Sequence, residues 1–329
     1  MSSTSAFVFH SLVPDLILDA LESVGLRVDS GLTALNSYEN RVYQFMDEDR
    51  KRYVAKFYRP ERWSNEQIQE EHDFSWALSD TDIPAVAPLR INHRTLHEYQ
   101  GFVFAVFPSV GGRQYEIDSL DQLEWVGRFL GRIHHVGKQH AFVARPTIGL
   151  DEYLYQPRHI LAESALVPAK VKASLLSSLD VLIKAVEQYW HTNWTPSRLH
   201  GDCHPGNILW RDGPIFVDLD DSRTGPVVQD LWMLLHGSRQ DQLMQLDILL
   251  EAYGEFADFD QKELLLIEPL RCMRMVYYLA WVVRRWDDPA FPKSFPWIAD
   301  LDFWQKQPSI FTEQAKLLQA PPLQLMPMY

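Results

Sequence analysis

The first apolar residues of the chain recur at helical spacing. Ile17, Leu21 and Val24 fall on one face of a helix. Pro14 suits the first turn of that helix, and Gly25 suits the position just after its last turn. The spacing therefore predicts a short helix that precedes the first strands.

The pattern then changes to the alternation of a β-hairpin. Apolar and polar side chains alternate over residues 40–45, and a second strand-like run covers residues 53–57. A polar turn over residues 47–52 joins the two runs, which predicts a pair of antiparallel strands. Lys56 lies on the second of these strands.

Helical spacing returns over residues 62–78, where apolar side chains lie on or near one face and glutamates lie on the others. A proline-bearing connection over residues 83–88 follows. Two more strands are predicted, around residues 89–91 and 102–107. Together with the hairpin, they predict an antiparallel sheet near the N-terminus.

The rest of the chain is mainly helical in pattern. Apolar spacing predicts helices over residues 119–135, 171–190 and 267–286, the last of which is rich in arginine and aromatic residues. A sheet followed by helices predicts an α+β fold.

The composition indicates a globular protein with an ample core. Of 329 residues, 46% are hydrophobic and 23% are charged, which excludes a disordered chain. The net charge of −13 argues against nucleic acid and anionic membranes as partners. Residues 1–10 lack a secretory signal pattern, and the most apolar run, residues 275–283, is too short to span a membrane. The two cysteines, Cys203 and Cys272, suit a reducing compartment, so we expect a cytoplasmic protein.

The stretch with the clearest chemistry is residues 200–209, which read His-Gly-Asp-Cys-His-Pro-Gly-Asn-Ile-Leu. Phosphoryl transfer needs a carboxylate that takes the proton of the incoming hydroxyl, and Asp202 is placed for that role. It also needs oxygen ligands that hold Mg²⁺ on the phosphates. Asn207 and Asp218, the latter at the end of a short apolar strand, are candidates for those ligands.

Two neighbouring side chains leave alternatives open. Asp220 is a ligand of a second metal ion, a residue that orients the metal ligands from behind, or a purely structural acid. Cys203 has no base placed to activate it, so we interpret it as a packing residue. We expect His200 and His204 to brace the backbone of the loop.

The motif resembles the catalytic loop of the aminoglycoside phosphotransferase and choline kinase group, which shares the protein-kinase-like fold. That resemblance implies a bilobal α+β protein, with a small antiparallel-sheet lobe over residues 1–108 and a larger, mainly helical catalytic lobe over residues 109–329. The segments 37–43, 56–63 and 321–329 resemble, more closely, a subfamily of bacterial stress-response kinases that phosphorylate Ser/Thr in proteins.

The resemblance assigns further roles. Lys56 would reach the α- and β-phosphates of ATP, and a glutamate on the following helix would pair with it. We prefer Glu71 to Glu70 on register. Ser37 would lie at the ATP site, in a stretch that lacks the glycine-rich fingerprint of protein kinases, and the backbone near residues 106–109 would read the adenine edge.

The resemblance therefore implies a serine/threonine protein kinase that uses ATP and Mg²⁺ and acts as a monomer on protein hydroxyls, its own included. Only eleven residues separate Asp218 from Asp230. Because this leaves no room for a phosphorylated activation segment, we expect activity without one. A small-molecule kinase and a pseudokinase scaffold are the alternatives. The physiological substrate and the trigger for activity are not encoded in any recognisable pattern.

Overall fold

The computed structural model describes residues 9–323. Residues 1–8, part of the stretch predicted to lack a signal, and residues 324–329, part of the tail that carries the resemblance, lie outside the described residues.

Internal contacts divide the described chain into two compact units. The first comprises the chain up to Pro146 together with Ser197–Thr224 and Ile248–Asp258, and the second comprises Thr147–Pro196, Gly225–Asp247 and the chain from Phe259 onward. The lobe boundary predicted near residue 108 is a different division and stays a prediction.

The strands cluster in the first half of the sequence and around the catalytic motif, whereas helices dominate elsewhere. The strands are β1 (Thr33–Ala34), β2 (Arg41–Met46), β3 (Arg52–Phe57), β4 (His97–Tyr99), β5 (Phe102–Pro108), β6 (Arg113–Gln114), β7 (Ser197–Leu199), β8 (Ile208–Trp210), β9 (Pro214–Phe216) and β10 (Arg223–Gly225). The helices are α1 (Pro14–Ser23), α2 (Asn65–Ser79), α3 (Leu120–Gly137), α4 (Gln156–Glu163), α5 (Ala169–Tyr189), α6 (Val228–Trp232), α7 (Arg239–Gly254), α8 (Ile267–Arg284), α9 (Ala290–Ser294) and α10 (Leu301–Leu317). The predicted α+β class is confirmed.

The main sheet of the first unit has five strands in the order β1-β2-β3-β5-β4, and its registered pairs are antiparallel. The predicted hairpin is confirmed as β2 and β3, in which Val42 is opposite Lys56. The strand predicted at residues 89–91 is wrong. Asn92 and His93 have positive φ angles, and Ile91 turns back to bond Arg94, so the edge strand forms later, as β4.

The core of this sheet is built from alternate strand positions and the apolar face of α1. Phe57 and Phe104 stack at 5.1 Å between ring centroids, and Ile17 and Leu21 of α1 belong to the same buried cluster. Burial of side chains of this size contributes about 1.5–3 kcal/mol each. The core therefore holds β3, and with it Lys56, in a defined position.

A smaller sheet, β6-β8-β9, carries the motif region. Phe216 of β9 makes two backbone hydrogen bonds to residues 84–86. Its N–H donates to the carbonyl oxygen of Pro84, and its carbonyl oxygen accepts from the N–H of Val86. The strand that leads to Asp218 is thereby attached to the connection between α2 and the main sheet.

The second unit is mainly helical. Its α5 packs against α10, and Leu175, Leu179, Trp304 and Phe311 are buried there. None of the helices within residues 9–323 combines the length and the apolar character that a bilayer span requires.

Candidate active site

The catalytic loop between β7 and β8 is closed by its own backbone. The φ of Gly201 is +85°, and a Cβ at this residue would lie 2.1 Å from the carbonyl oxygen of Asp221, so only glycine fits. The carbonyl oxygen of Asp202 accepts from the backbone N–H of His204 at 2.9 Å and from Asn207 Nδ2 at 3.0 Å. These bonds hold Asn207 and Asp202 in one turn.

His204 contacts the backbone of the loop, as predicted, whereas His200 contacts the backbone just after β9. His200 Nε2 lies 3.0 Å from the carbonyl oxygen of Val217. His204 Nδ1 accepts from the N–H of Gly206 at 2.9 Å, which leaves its proton on Nε2, 3.4 Å from Asp202 Oδ2. His204 therefore also helps to orient the predicted base.

A cavity of about 410 Å³ within the first unit brings together five of the residues predicted from the sequence: Ser37, Lys56, Glu71, Asn207 and Asp218. Its other walls are mostly apolar: Leu35, Val42, Val54, Val86, Leu209, Val217 and Leu219, with residues 107–110, which overlap the predicted hinge at 106–109. Asp202 belongs to the adjoining loop and does not line this cavity. Apolar walls with a few convergent charges suit a nucleotide-sized ligand.

Lys56 lies between two carboxylates. Its Nζ is 2.8 Å from Asp218 Oδ1 and 3.3 Å from Asp220 Oδ1. Burial acts to lower the pKa of Lys56, but the two carboxylates outweigh burial and hold that pKa well above its usual value. Lys56 is therefore a permanent cation on the cavity wall.

The two glutamates proposed for α2 have different surroundings. Glu71 lines the cavity, and its Oε2 pairs with Arg145 Nη2 at 3.2 Å. The carboxylate of Glu70 accepts from the backbone N–H groups of residues 143–145, outside the cavity. Burial raises the pKa of Glu71 to about 7, although Lys56 and Arg145 oppose the rise. The register argument thus selected the glutamate that faces the cavity, while the ion pair of Glu71 goes to Arg145.

Asp218 and Asp220 are only two residues apart but differ in environment. Asp218 has φ +59° and ψ +64°, a left-handed conformation that Asp tolerates better than most residues, and its side chain is 54% exposed. The side chain of Asp220 is 7% exposed and contacts Lys56, Arg62 and the amide of Asn40. Burial acts to raise the pKa of Asp220, but Lys56 and Arg62 hold that pKa below its usual range. The structural alternative for Asp220 is favoured, because cations and an amide already contact its carboxylate.

Asn207 and Asp218 are suitable ligands for Mg²⁺. Both line the cavity, both offer oxygen, and the Nδ2 of Asn207 is bonded back to the loop. Mg²⁺ is commonly held by one or two protein oxygens plus phosphate oxygens and water. Within residues 9–323, no group of three or more His, Cys, Asp and Glu side chains is arranged to hold a metal ion, so the remaining ligands would come from the nucleotide and solvent.

The sequence reasoning missed several residues that contact the acids of the site. Asn40 donates to Asp220 and accepts from the N–H of Arg59, and Arg62 pairs with Glu39 and with Asp221. Most of these residues lie inside the segments 37–43 and 56–63, whose family resemblance was the one indication in the sequence that they belong to the site. Arg145 lies in no recognisable motif.

The sequence model of a family described as "Phosphotransferase enzyme family" matches residues 31–265, which is more than half of the chain. The chain belongs to this family. The predicted phosphotransferase class is therefore confirmed.

Relatives that align over nearly the whole chain point to a narrower group within this family. "Stress response kinase A" of Escherichia coli (strain K12) is 61% identical over 327 residues, which cover 99% of this chain and 100% of the relative. "Serine/threonine protein kinase RdoA" of Salmonella typhimurium (strain LT2) is 58% identical over 325 residues, which cover 99% of each protein. The resemblance to stress-response kinases is confirmed.

Among solved structures, amicoumacin kinase hAmiN in complex with AMP-PNP, Ca²⁺ and Ami is similar in fold. The TM-score is 0.72, the identity is 19%, and 94% of each chain is covered. This similarity confirms the kinase-like fold.

Proposed function

We propose that the chain is an ATP-dependent serine/threonine protein kinase. The observation that carries the proposal is the convergence of Lys56, Asn207 and Asp218 on one cavity, next to the loop that bears Asp202. These side chains supply the cation, the metal ligands and the base that phosphoryl transfer requires. The protein acceptor is supported by the names of the full-length relatives.

The cavity suggests how ATP would bind. The adenine ring would lie between apolar walls that include Val42 and Leu209, with its edge towards residues 107–110. Ser37 could donate to a phosphate, and Lys56 would contact the α- and β-phosphates. Mg²⁺, held by Asn207 and Asp218, would neutralise charge on the phosphates.

In the transfer step, the oxygen of the acceptor hydroxyl forms a bond to the γ-phosphorus as the bond from that phosphorus to the bridging oxygen of ADP breaks. The proton of the hydroxyl passes to the carboxylate of Asp202. His204 holds this carboxylate from one side. The products are a phosphoester and ADP.

A small-molecule kinase is the second candidate. It is favoured by the fold similarity to amicoumacin kinase, whose name gives a small-molecule substrate. The same cavity and loop would serve either acceptor, because the chemistry at the γ-phosphate is identical.

Incubation with γ-labelled ATP and Mg²⁺ tests both candidates. The purified protein is mixed first with a lysate of cells that lack the gene, and then with the small-molecule fraction of that lysate. We expect label in protein, and label confined to a small metabolite would favour the second candidate. Transfer to neither would overturn the proposal and indicate a pseudokinase.

The assay has a matched pair of controls. Asp202→Asn removes the proposed base and should abolish labelling. Asp212→Asn changes an exposed aspartate on the turn between β8 and β9 and should not. The cytoplasmic location, the monomeric state and the absence of nucleic-acid and membrane partners stay predictions.

A further inference from the structure

Arg145 connects two segments that carry site residues. Its side chain is fully buried. Its Nε donates to the carbonyl oxygen of Gln67 at 2.7 Å, and its Nη2 donates to Glu71 Oε2 at 3.2 Å, both on α2. Its Nη1 donates to the carbonyl oxygens of Asp220 at 2.6 Å and Ser222 at 3.0 Å, just after Asp218. One guanidinium therefore joins α2 to the segment that follows the metal-ligand candidate.

The loop that carries Arg145 is itself attached to α2. The Glu70 carboxylate accepts from the backbone N–H groups of residues 143–145, and Gln67 Nε2 donates to the carbonyl oxygen of Ala144 at 2.9 Å. The Trp63 ring lies 4.5 Å from the guanidinium carbon of Arg145. These contacts hold the loop independently of the cavity.

We propose that Arg145 is a positioning residue, which holds Glu71 and the backbone after Asp218 in one arrangement and thereby sets the affinity for Mg-ATP. This inference rests on the proposed function. Kinases need their helix glutamate and their metal-binding aspartate in place together, and many achieve this by phosphorylating an activation segment. This chain has no room for such a segment, and Arg145 supplies a permanent connection instead.

An arginine is required at this position for geometric reasons. Its planar fork presents five N–H donors at fixed angles, and it stays protonated when buried. Four contacts on two segments use this fork. A lysine keeps the charge but cannot reach both segments at once.

Calorimetric titration of the full chain with ATP and Mg²⁺ tests the proposal. We expect Arg145→Lys to raise the Kd of Mg-ATP about tenfold, or about 1.4 kcal/mol. The KM of the acceptor should stay unchanged, because no acceptor contact is altered. Chain that has unfolded irreversibly would lower only the binding stoichiometry and leave the Kd as it is.

Arg198→Lys is the matched control. Arg198 is also buried, lies over the Phe74 ring, and donates to the carbonyl oxygens of Val136 and Gly137, but it contacts no cavity residue. We expect this variant to lose stability without a change in the Kd of Mg-ATP. An equal Kd change in both variants would overturn the proposal.

If Arg145→Lys does not fold, Glu70→Ala replaces it. This change removes the acceptor that holds the backbone of residues 143–145 and leaves Arg145 in place, so the Kd should rise by a smaller factor. If folded Glu70→Ala binds Mg-ATP with an unchanged Kd, the role of Arg145 is overturned while the proposed function stands. Failure of the wild-type chain to bind Mg-ATP would overturn the proposed function as well.

Discussion

The acids of the site fall into two regions that behave differently. At the cavity and its adjoining loop, the side chains of Asp218 and Asp202 are 54% and 23% exposed. The side chains of Asp220, behind the cavity, and of Glu71, on the cavity wall, are 7% and 2% exposed, and each contacts at least one arginine. Burial without a cation would be costly for an ionised carboxylate, so the buried acids need partners that the exposed acids do not.

The difference shows that sequence proximity does not set the role of an acid here. Both acids contact Lys56, but the side chain of Asp218 is half exposed and can meet a metal ion, whereas Asp220 is enclosed and also contacts Arg62. We therefore expect changes at the exposed acids to alter chemistry or ligand binding, and changes at the buried acids to alter stability. The following predictions test that division.

The largest effect is expected for Asp202→Asn. Loss of the base should lower kcat by about 10²–10⁴-fold while the Kd of Mg-ATP and the thermal midpoint stay close to those of the wild type. Steady-state kinetics with γ-labelled ATP, beside a melting curve, measures both. Wild-type turnover would remove Asp202 from its assigned role.

Asp220→Asn should affect stability instead. The change removes one of the carboxylates that Lys56 and Arg62 face, although Asp218 and Glu39 remain beside them. We expect a loss of about 1.5–3 kcal/mol in the free energy of unfolding, the range for a buried hydrogen bond to a charged group. Urea unfolding followed by fluorescence measures this loss. If the variant is as stable as the wild type but binds Mg²⁺ poorly, Asp220 is a metal ligand after all.

Asp218→Asn should weaken Mg-ATP binding about tenfold or more, with little change in stability, because it removes a charged metal ligand and Asn tolerates the left-handed backbone. Asp212→Asn is its control, since Asp212 is exposed and also has a φ of +59°. Titrating Mg²⁺ at constant ATP separates the two variants. Equal Mg²⁺ dependence in both would exclude Asp218 as a ligand.

The smallest effect is expected for Glu71→Gln, and it depends on pH. Burial raises the pKa of Glu71 to about 7, above its ordinary value of 4.5, so the folded protein retains a proton that the unfolded chain releases. Wild-type stability should therefore fall as pH rises from about 4.5 to 7, and the glutamine variant lacks this loss.

Differential scanning fluorimetry at several pH values checks this. We expect the Tm of Glu71→Gln relative to wild type to increase by several degrees across the window. Glu66→Gln, an exposed glutamate on the same helix, should show no such trend. A difference independent of pH would mean that Glu71 stays ionised throughout.

Parts of the fold followed from local pattern. The β2–β3 hairpin was predictable because its alternation and turn lie within one short segment, and α2, α3, α5 and α8 were predictable from apolar spacing. The strand expected at residues 89–91 does not form, because Asn92 and His93 have positive φ angles and reverse the chain there. No glycine or proline marks that turn.

The sequence by itself determined the spacing of the proposed base and the proposed metal ligand on the loop between β7 and β8. Asp202 and Asn207 are five residues apart, so a tight turn is enough to bring them together. Only the tertiary structure decided the partners of the buried acids. Asn40 meets Asp220 across 180 residues, and Arg145 meets Glu71 across 74. Such pairs depend on how distant segments pack. Each buried carboxylate needs a partner from the protein, because water does not reach it to solvate its charge.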